Sequence, residues 1–380
     1  MVYGMRRTLV GGTVLIGDRL IPDATVAFDG ERIGAVGHPV GSSAQVDARG
    51  LLILPGLVDL HADSVERALE PRPGSRLPLP VALAEHDGWL LASGITTCFI
   101  SLTDGFEPGL RNRELIRSVV AALHDPTIRL TARTPLHLRR EVCAPGEADE
   151  LVAWLIAGRI GLLSINDHLP AEGDDAAEAR FIISLHRRLN GSAANIEALI
   201  AEARQYRTSG EAVRDHLCSA ARAHAVPLAA HDDASPAEAE ASAARGTTIS
   251  EFPGDLATAQ RARQLSSAVL LGAPNAVRGS SRAGHLSASE AIAAGACDAL
   301  CSDYHPHSLF HAPFTLAGRG VCDLATAWNL VSRGPAHAAG LVDRGRISAG
   351  ALADLVLVER DPRPRVRSVW IGGREVARFA

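Results

Sequence analysis

Residues 53–66 read ILPGLVDLHADSVE, an apolar run interrupted by Pro55-Gly56 and closed by His61, Ala62 and Asp63. A run this rich in branched residues reads as a buried strand that delivers polar groups at its carboxyl end. Side chains two apart on a strand point the same way, so His61 and Asp63 can face one centre together. An imidazole and a carboxylate on one face suit a divalent ion such as zinc, or manganese where more oxygens contribute. Taken alone, the same pair reads equally well as a surface His and Asp in a strand-to-helix loop.

Downstream of this stretch, residues 50–344 alternate strand-like runs with Ala-rich helical ones. The runs are ILPGLVDL, GITTCFISL, LHLRREV, GLLSIND, VPLAAH, TTISEF, SAVLLG and CDALCSD. Eight strands separated by helices are the sequence form of a (β/α)8 barrel, the TIM-type α/β fold. The barrel is assigned to residues 51–344. Residues 171–207 interrupt the alternation and read as an inserted helical excursion, a candidate lid.

The two ends of the chain have a different pattern. Residues 8–49 alternate short β runs with turns, and Asp29-Gly30 between TVAF and ERIGAV is a two-residue hairpin signal. The pattern returns after Gly345 in ADLVLVE and VRSVWIGG. A small β-sandwich domain assembled from both termini, residues 1–50 plus 345–380, is the expectation.

Composition narrows the function. The chain has 380 residues, 47% of them apolar, a net charge of -5 and no polybasic tract, so neither nucleic acid nor membrane is an expected partner. Arg6-Arg7 precede apolar residues at the amino end, but Gly11-Gly12 and Gly17-Asp18 break that run too early for a targeting segment. Six scattered cysteines without CxxC spacing imply neither disulfides nor a zinc knuckle, and a reduced cytoplasmic setting fits them. All 38 basic residues are Arg, which excludes a Schiff-base lysine, a Walker lysine and a carbamylated lysine. No GxSxG elbow or GxGxxG fingerprint occurs.

In a barrel enzyme the chemistry gathers at the carboxyl ends of the strands. Polar residues accumulate there: His61 and Asp63, Glu141, Asp167-His168, His231-Asp232-Asp233, Glu251 and Asp303. Any one of these has a plain reading as a helix cap. Their recurrence in most of the eight units is harder to attribute to capping. In LHLRREV the alternation also puts His137, Arg139 and Glu141 on one face. The set has ligands for two ions, with Glu141 as the natural bridge in the absence of lysine and Asp303 as the group to take a water proton. A bound divalent ion lowers the pKa of water from ~15.7 toward ~7, which is hydrolase chemistry.

Several strings together resemble the amidohydrolase superfamily, and within it the diphosphatases of the carbon-phosphorus lyase pathway. They are HADSVER with PRPG at 71–74, LHLRREV, NDHLP at 166–170, AAHDDASP at 229–236, EFP at 251–253, GAPNAVRG at 272–279 and SDYHPHSL at 302–309. The resemblance covers nearly the whole chain. It implies a metal-dependent hydrolase that cleaves α-D-ribose 1-methylphosphonate 5-triphosphate, or a close analogue, to the 5-phosphate and diphosphate in phosphonate catabolism. It places His61, Asp63, Glu141, His168, His231 and Asp303 at a centre of one or two zinc (or manganese) ions, with Asp303 also catalytic. Arg67, Arg72 and Arg278 become candidates for the polyanion, because the planar guanidinium fork binds phosphate oxygens in pairs. A homo-oligomer is expected.

Three features depart from the superfamily pattern. The segment from Ala171 to Gly191 lacks the aromatic, basic sequence expected there. His305 and His307 add imidazoles beside Asp303. His168 and His231 close runs four and five, one earlier than the superfamily usually places its paired His, and a missed strand would account for that. The alternatives are a cyclic-amide hydrolase or deaminase on the same barrel, which needs fewer converging cations, and a non-catalytic oligomeric scaffold.

Overall fold

A computed structural model of the chain describes residues 7–37, 44–170, 172–189, 196–279 and 286–380. The amino end forms β1 (Arg7–Ile16), β2 (Arg19–Asp29), β3 (Arg32–Val36), β4 (Ala44–Asp47) and β5 (Leu52–Pro55). The barrel strands follow as β6 (Leu57–Ala62), β7 (Ile95–Asp104), β8 (Leu136–Glu141), β9 (Leu162–Asn166), β10 (Leu228–His231), β11 (Ile249–Glu251), β12 (Ala268–Gly272) and β13 (Ala299–Cys301). The carboxyl end contributes β14 (Leu355–Glu359), β15 (Arg365–Ile371) and β16 (Arg374–Arg378).

Strands β6 to β13 are parallel and lie side by side in chain order. Each coincides with one of the eight runs read from the sequence, and none was missed. His168 therefore follows the fourth barrel strand and His231 ends the fifth. The barrel is nearly closed. At the carboxyl end, Asp303 N–H donates to the His61 carbonyl (2.9 Å) and Asp63 N–H to the Asp303 carbonyl (2.8 Å). Lower down, Leu330 and Val331 bridge the seam by accepting from Leu300 (2.7 Å) and Val58 (2.9 Å). The interior holds Val58, Leu60, Phe99, Leu162, Ile249 and Leu270, so it is a packed core, with chemistry left to its upper rim.

The opening stretch behaves differently from a single strand. Gly56 splits it, and β5 pairs antiparallel with β14 while β6 enters the barrel. A Cβ on Gly56 would fall 2.3 Å from Thr96 Oγ1, so only glycine lets the chain pass between the sheets.

Where the sequence suggested a β-sandwich, hydrogen bonding makes one curled, mostly antiparallel sheet in the order β16-β15-β14-β5-β1-β2-β3, with β4 also on β1. The curl starts at Gly11-Gly12, where β1 leaves β4 and takes up β5. It brings β3 back against the segment before β14 through Ile33 N–H to Ala351 O (2.9 Å). Phe28, Ile33, Ile53, Leu355 and Trp370 fill the space enclosed. Asp29 pairs with Arg32 across the expected hairpin.

The 171–207 excursion is helical at Asp175–Leu189 and Ile196–Gln205; residues 171 and 190–195 lie outside the described residues. Leu185, Ile196, Ile200 and Ala203 pack on Cys143 and Leu169. Ion pairs from Arg188 to Glu107 (2.7 Å) and Arg207 to Asp167 (2.6 Å) tie the region down. No helix among the described residues is long and apolar enough to cross a membrane.

Candidate metal centre

The site grows from His61, the last inward-facing residue of β6 and almost fully buried. Its Nδ1 lies 3.2 Å from Glu251 Oε1 and its Nε2 3.4 Å from Asp63 Oδ1. Burial works against a charged imidazole, but Glu251 and Asp63 prevail and push the His61 pKa up to about 10. Burial likewise opposes a charged Glu251, yet His137 and His61 bring its carboxyl down to about 2. The pocket thus favours cations strongly.

His137 supports this pair from below. Its Nδ1 meets Ser101 Oγ and its Nε2 meets Ser164 Oγ, both at 3.0 Å, so neither ring nitrogen is left for an ion. Burial lowers its pKa to about 3 and keeps it neutral. Two residues on, Arg139 Nη1 binds both oxygens of Asp63 (3.0 and 2.9 Å) and Nη2 meets His231 Nε2 (3.0 Å). At the end of β8, Glu141 makes a very short contact to His168 Nδ1 and accepts from the His168 backbone N–H (3.2 Å).

His231 ends β10, and the chain then turns through Asp232 at φ 61°, a left-handed conformation uncommon for a residue with a side chain. That turn aims Asp232 Oδ2 back at His231 Nδ1 (3.1 Å) and His168 Nε2 (3.4 Å). Two groups of ligand atoms result, each within 4.8 Å: His61, His231 and Glu251, and His168, His231 and Asp232. Glu251 Oε2 is buried without a hydrogen-bond partner, a state that a bound cation would relieve.

Of the residues read from the sequence, His61, His168 and His231 fall in these groups. Asp63 is in contact with Arg139 and Glu141 with His168, and neither falls in the two groups. Asp303, at φ 55°, hangs over Gly272, and its carboxyl is raised to about 6 by burial and then by Asp63. Glu251 and Asp232, part of the strand-end set but not of the ligands that the resemblance implied, join the groups. Their only sequence signal was position, at the ends of TTISEF and VPLAAH.

Arg278 lines a cavity of about 320 Å³ together with Asp303, Phe252, Asn275 and Tyr304, and its Nη1 donates to the Tyr304 hydroxyl (2.5 Å). Arg67 lies over the Trp89 ring (4.6 Å) and lines a separate cleft of about 670 Å³ with Arg111 and Arg188. Arg72 is exposed and lines neither. His307 Nδ1 meets Ser93 Oγ (2.9 Å) and His305 Nδ1 meets Ser308 Oγ (2.8 Å), away from both ligand groups.

A family model described as "Amidohydrolase family" matches residues 178–377. The chain is 33% identical over 342 residues to the Escherichia coli (strain K12) alpha-D-ribose 1-methylphosphonate 5-triphosphate diphosphatase, covering 87% of this chain and 89% of that protein. The chain belongs to the amidohydrolase family. This amidohydrolase is also 28% identical over 407 aligned positions to an imidazolonepropionase from Rubrobacter xylanophilus, covering 93% of this chain and 88% of that one. Among solved structures, the beta-aspartyl dipeptidase of Fervidobacterium islandicum AW-1 superposes on it with a TM-score of 0.66 at 17% identity, over 100% of this chain and 97% of the other. The N-acetyl-D-glucosamine-6-phosphate deacetylase of Mycobacterium smegmatis gives 0.61 at 18% identity, over 98% and 100%. At such identities the amidohydrolase shares the fold with these two.

Proposed function

We propose that this amidohydrolase is a metal-dependent diphosphatase that converts α-D-ribose 1-methylphosphonate 5-triphosphate, or a close phosphonate analogue, to the 5-phosphate and diphosphate in phosphonate breakdown. The observation that carries the reading is the 33% identity to the E. coli diphosphatase across 87% of the chain. The Arg278 cavity beside Asp303 supports it, since a polyanion needs a cation at the reacting end.

His61, His231 and Glu251, with His168 and Asp232, are the residues to hold the divalent ion, and their mixed nitrogen and oxygen donors suit zinc, or manganese. When bound, such an ion supplies Lewis acidity and brings the pKa of water toward ~7. In the hydrolysis, water adds to the α-phosphorus, the bond to the β-phosphate bridging oxygen breaks, and diphosphate departs. Asp303 is the group placed to take the water's proton, and its raised pKa of about 6 suits a general base working near neutrality. Arg278, held by Tyr304, meets phosphate oxygens.

The deciding assay is diphosphate release by the zinc-loaded protein from the ribose phosphonate triphosphate, beside ATP and a cyclic amide. Selective release from the first supports the reading. Silence on both triphosphates with turnover of the amide would instead favour a cyclic-amide hydrolase, the chemistry suggested by the similarity to an imidazolonepropionase.

A further inference from the structure

Both groups of ligand atoms depend on His231, and that ring is already engaged. Arg139 Nη2 lies 3.0 Å from His231 Nε2. A guanidinium has donors only, so this contact uses a lone pair of the ring. A neutral imidazole has one such lone pair, its other nitrogen carrying hydrogen. What Arg139 holds is therefore withheld from an ion. Arg139 itself rises from within β8, is only 3% exposed, and is anchored on its far side by both oxygens of Asp63.

We propose that Arg139 is an internal competitor for the metal: it provides the positive charge that Asp63 and the His231 ring require, and a divalent ion engages His231 only by displacing it. The proposal rests on the reading of these residues as a metal centre. The displaced guanidinium has a place to go. With its amide oxygen turned inward, Asn166 already lies 3.2 Å from Arg139 Nε and 3.3 Å from Nη2, so the amide and Asp63 together can keep the guanidinium once the ring is given up. Asp63 is then a permanent partner of Arg139 rather than a ligand. Ion affinity is held below what the ligands alone would give, which makes the ion exchangeable.

The test is zinc affinity, read by competition with a chromophoric chelator, for the wild-type chain, Arg139→Met and Arg139→Gln. Removing the competitor should tighten binding at least ~10-fold in Arg139→Met, the opposite of the usual loss when a supporting side chain is deleted. Unchanged or weaker affinity in folded variants overturns the proposal. Because a buried charge is being removed and either variant could fail to fold, the zinc-loaded wild-type crystal structure provides an independent reading. There the Arg139 to His231 contact should open beyond ~3.5 Å with Asp63 still held. A contact kept at its present length with zinc on His231 overturns it. If the wild-type chain binds no zinc, the metal-centre reading falls and this proposal with it; if it binds zinc and releases diphosphate while Arg139→Met binds equally well, only the competitor role is lost.

Discussion

Asp59 Oδ1 accepts the backbone N–H of Ser302 at 3.0 Å and that of His61 at 3.3 Å, so one carboxylate ties the first barrel strand to the turn after the last. The group is fully buried, and its Oδ2 has no partner. Burial raises its pKa to about 6, with the hydrogen bonds from Ser302 and His61 working against the shift.

That shift fixes a pH dependence. Between the unfolded value near ~3.9 and the folded value of about 6, the folded chain binds more protons than the unfolded one. The Asp59 contribution is therefore fully present below pH ~4 and is lost as the pH rises through about 6. Urea unfolding of wild type and Asp59→Asn, both with chelator present, should show their stability difference changing by up to about 3 kcal/mol across this window. A difference that stays flat with pH sinks the assignment.

Glu251 and Glu141 are both buried carboxylates at strand ends, but they do different things. Glu251→Gln changes a direct member of a ligand group and should reduce zinc content below one ion per chain after gel filtration. Glu141→Gln should weaken binding by roughly 10 to 100-fold through a misoriented His168, while retaining zinc when the ion is supplied in excess. Elemental analysis of the two variants separates these roles, and equal losses would return Glu141 to the ligand set.

Asp303→Asn keeps the size of the side chain and removes its basicity. Hydrolysis should fall by roughly 10² to 10⁴-fold with zinc content unchanged. Loss of zinc alongside activity would make Asp303 a ligand instead of a base.

Arg278 and Tyr304 form one unit at the mouth of the Asp303 cavity. Arg278→Ala should raise KM for the triphosphate about tenfold or more, the scale of one charged hydrogen bond, with a smaller change for a neutral amide. Tyr304→Phe removes the acceptor that orients Arg278 and should give a milder shift in the same direction. Steady-state kinetics on both substrates checks this, and equal effects on the two would exclude a phosphate role.

The eight barrel strands were legible because most are short apolar runs bounded by turn residues and ended by a polar group, features that are local in sequence. The division of ILPGLVDLHA at Gly56 was not. A continuous apolar run shows that both halves are buried but not which sheet each half joins, and here β14, some 300 residues away, decides. Ligand types were legible as strand-end positions, whereas pairings across the barrel mouth were not. Alternation put Arg139 on the inward face, but its hold on Asp63 and His231 depends on distances that strand spacing does not encode. Asp232 reaches its group only because the backbone there turns left-handed.

The Gly56 junction has a mechanical consequence. Its N–H donates to the Asp354 carbonyl (2.9 Å), while the Asp354 carboxylate takes Arg133 from the barrel (3.1 Å) and the Gly372 N–H from the terminal sheet (2.8 Å). There is no slack linker between the sheets at this point. A displacement of β5 against β14 is therefore handed through Gly56 to the strand that carries His61, so the terminal sheet is mechanically coupled to the rim of the barrel.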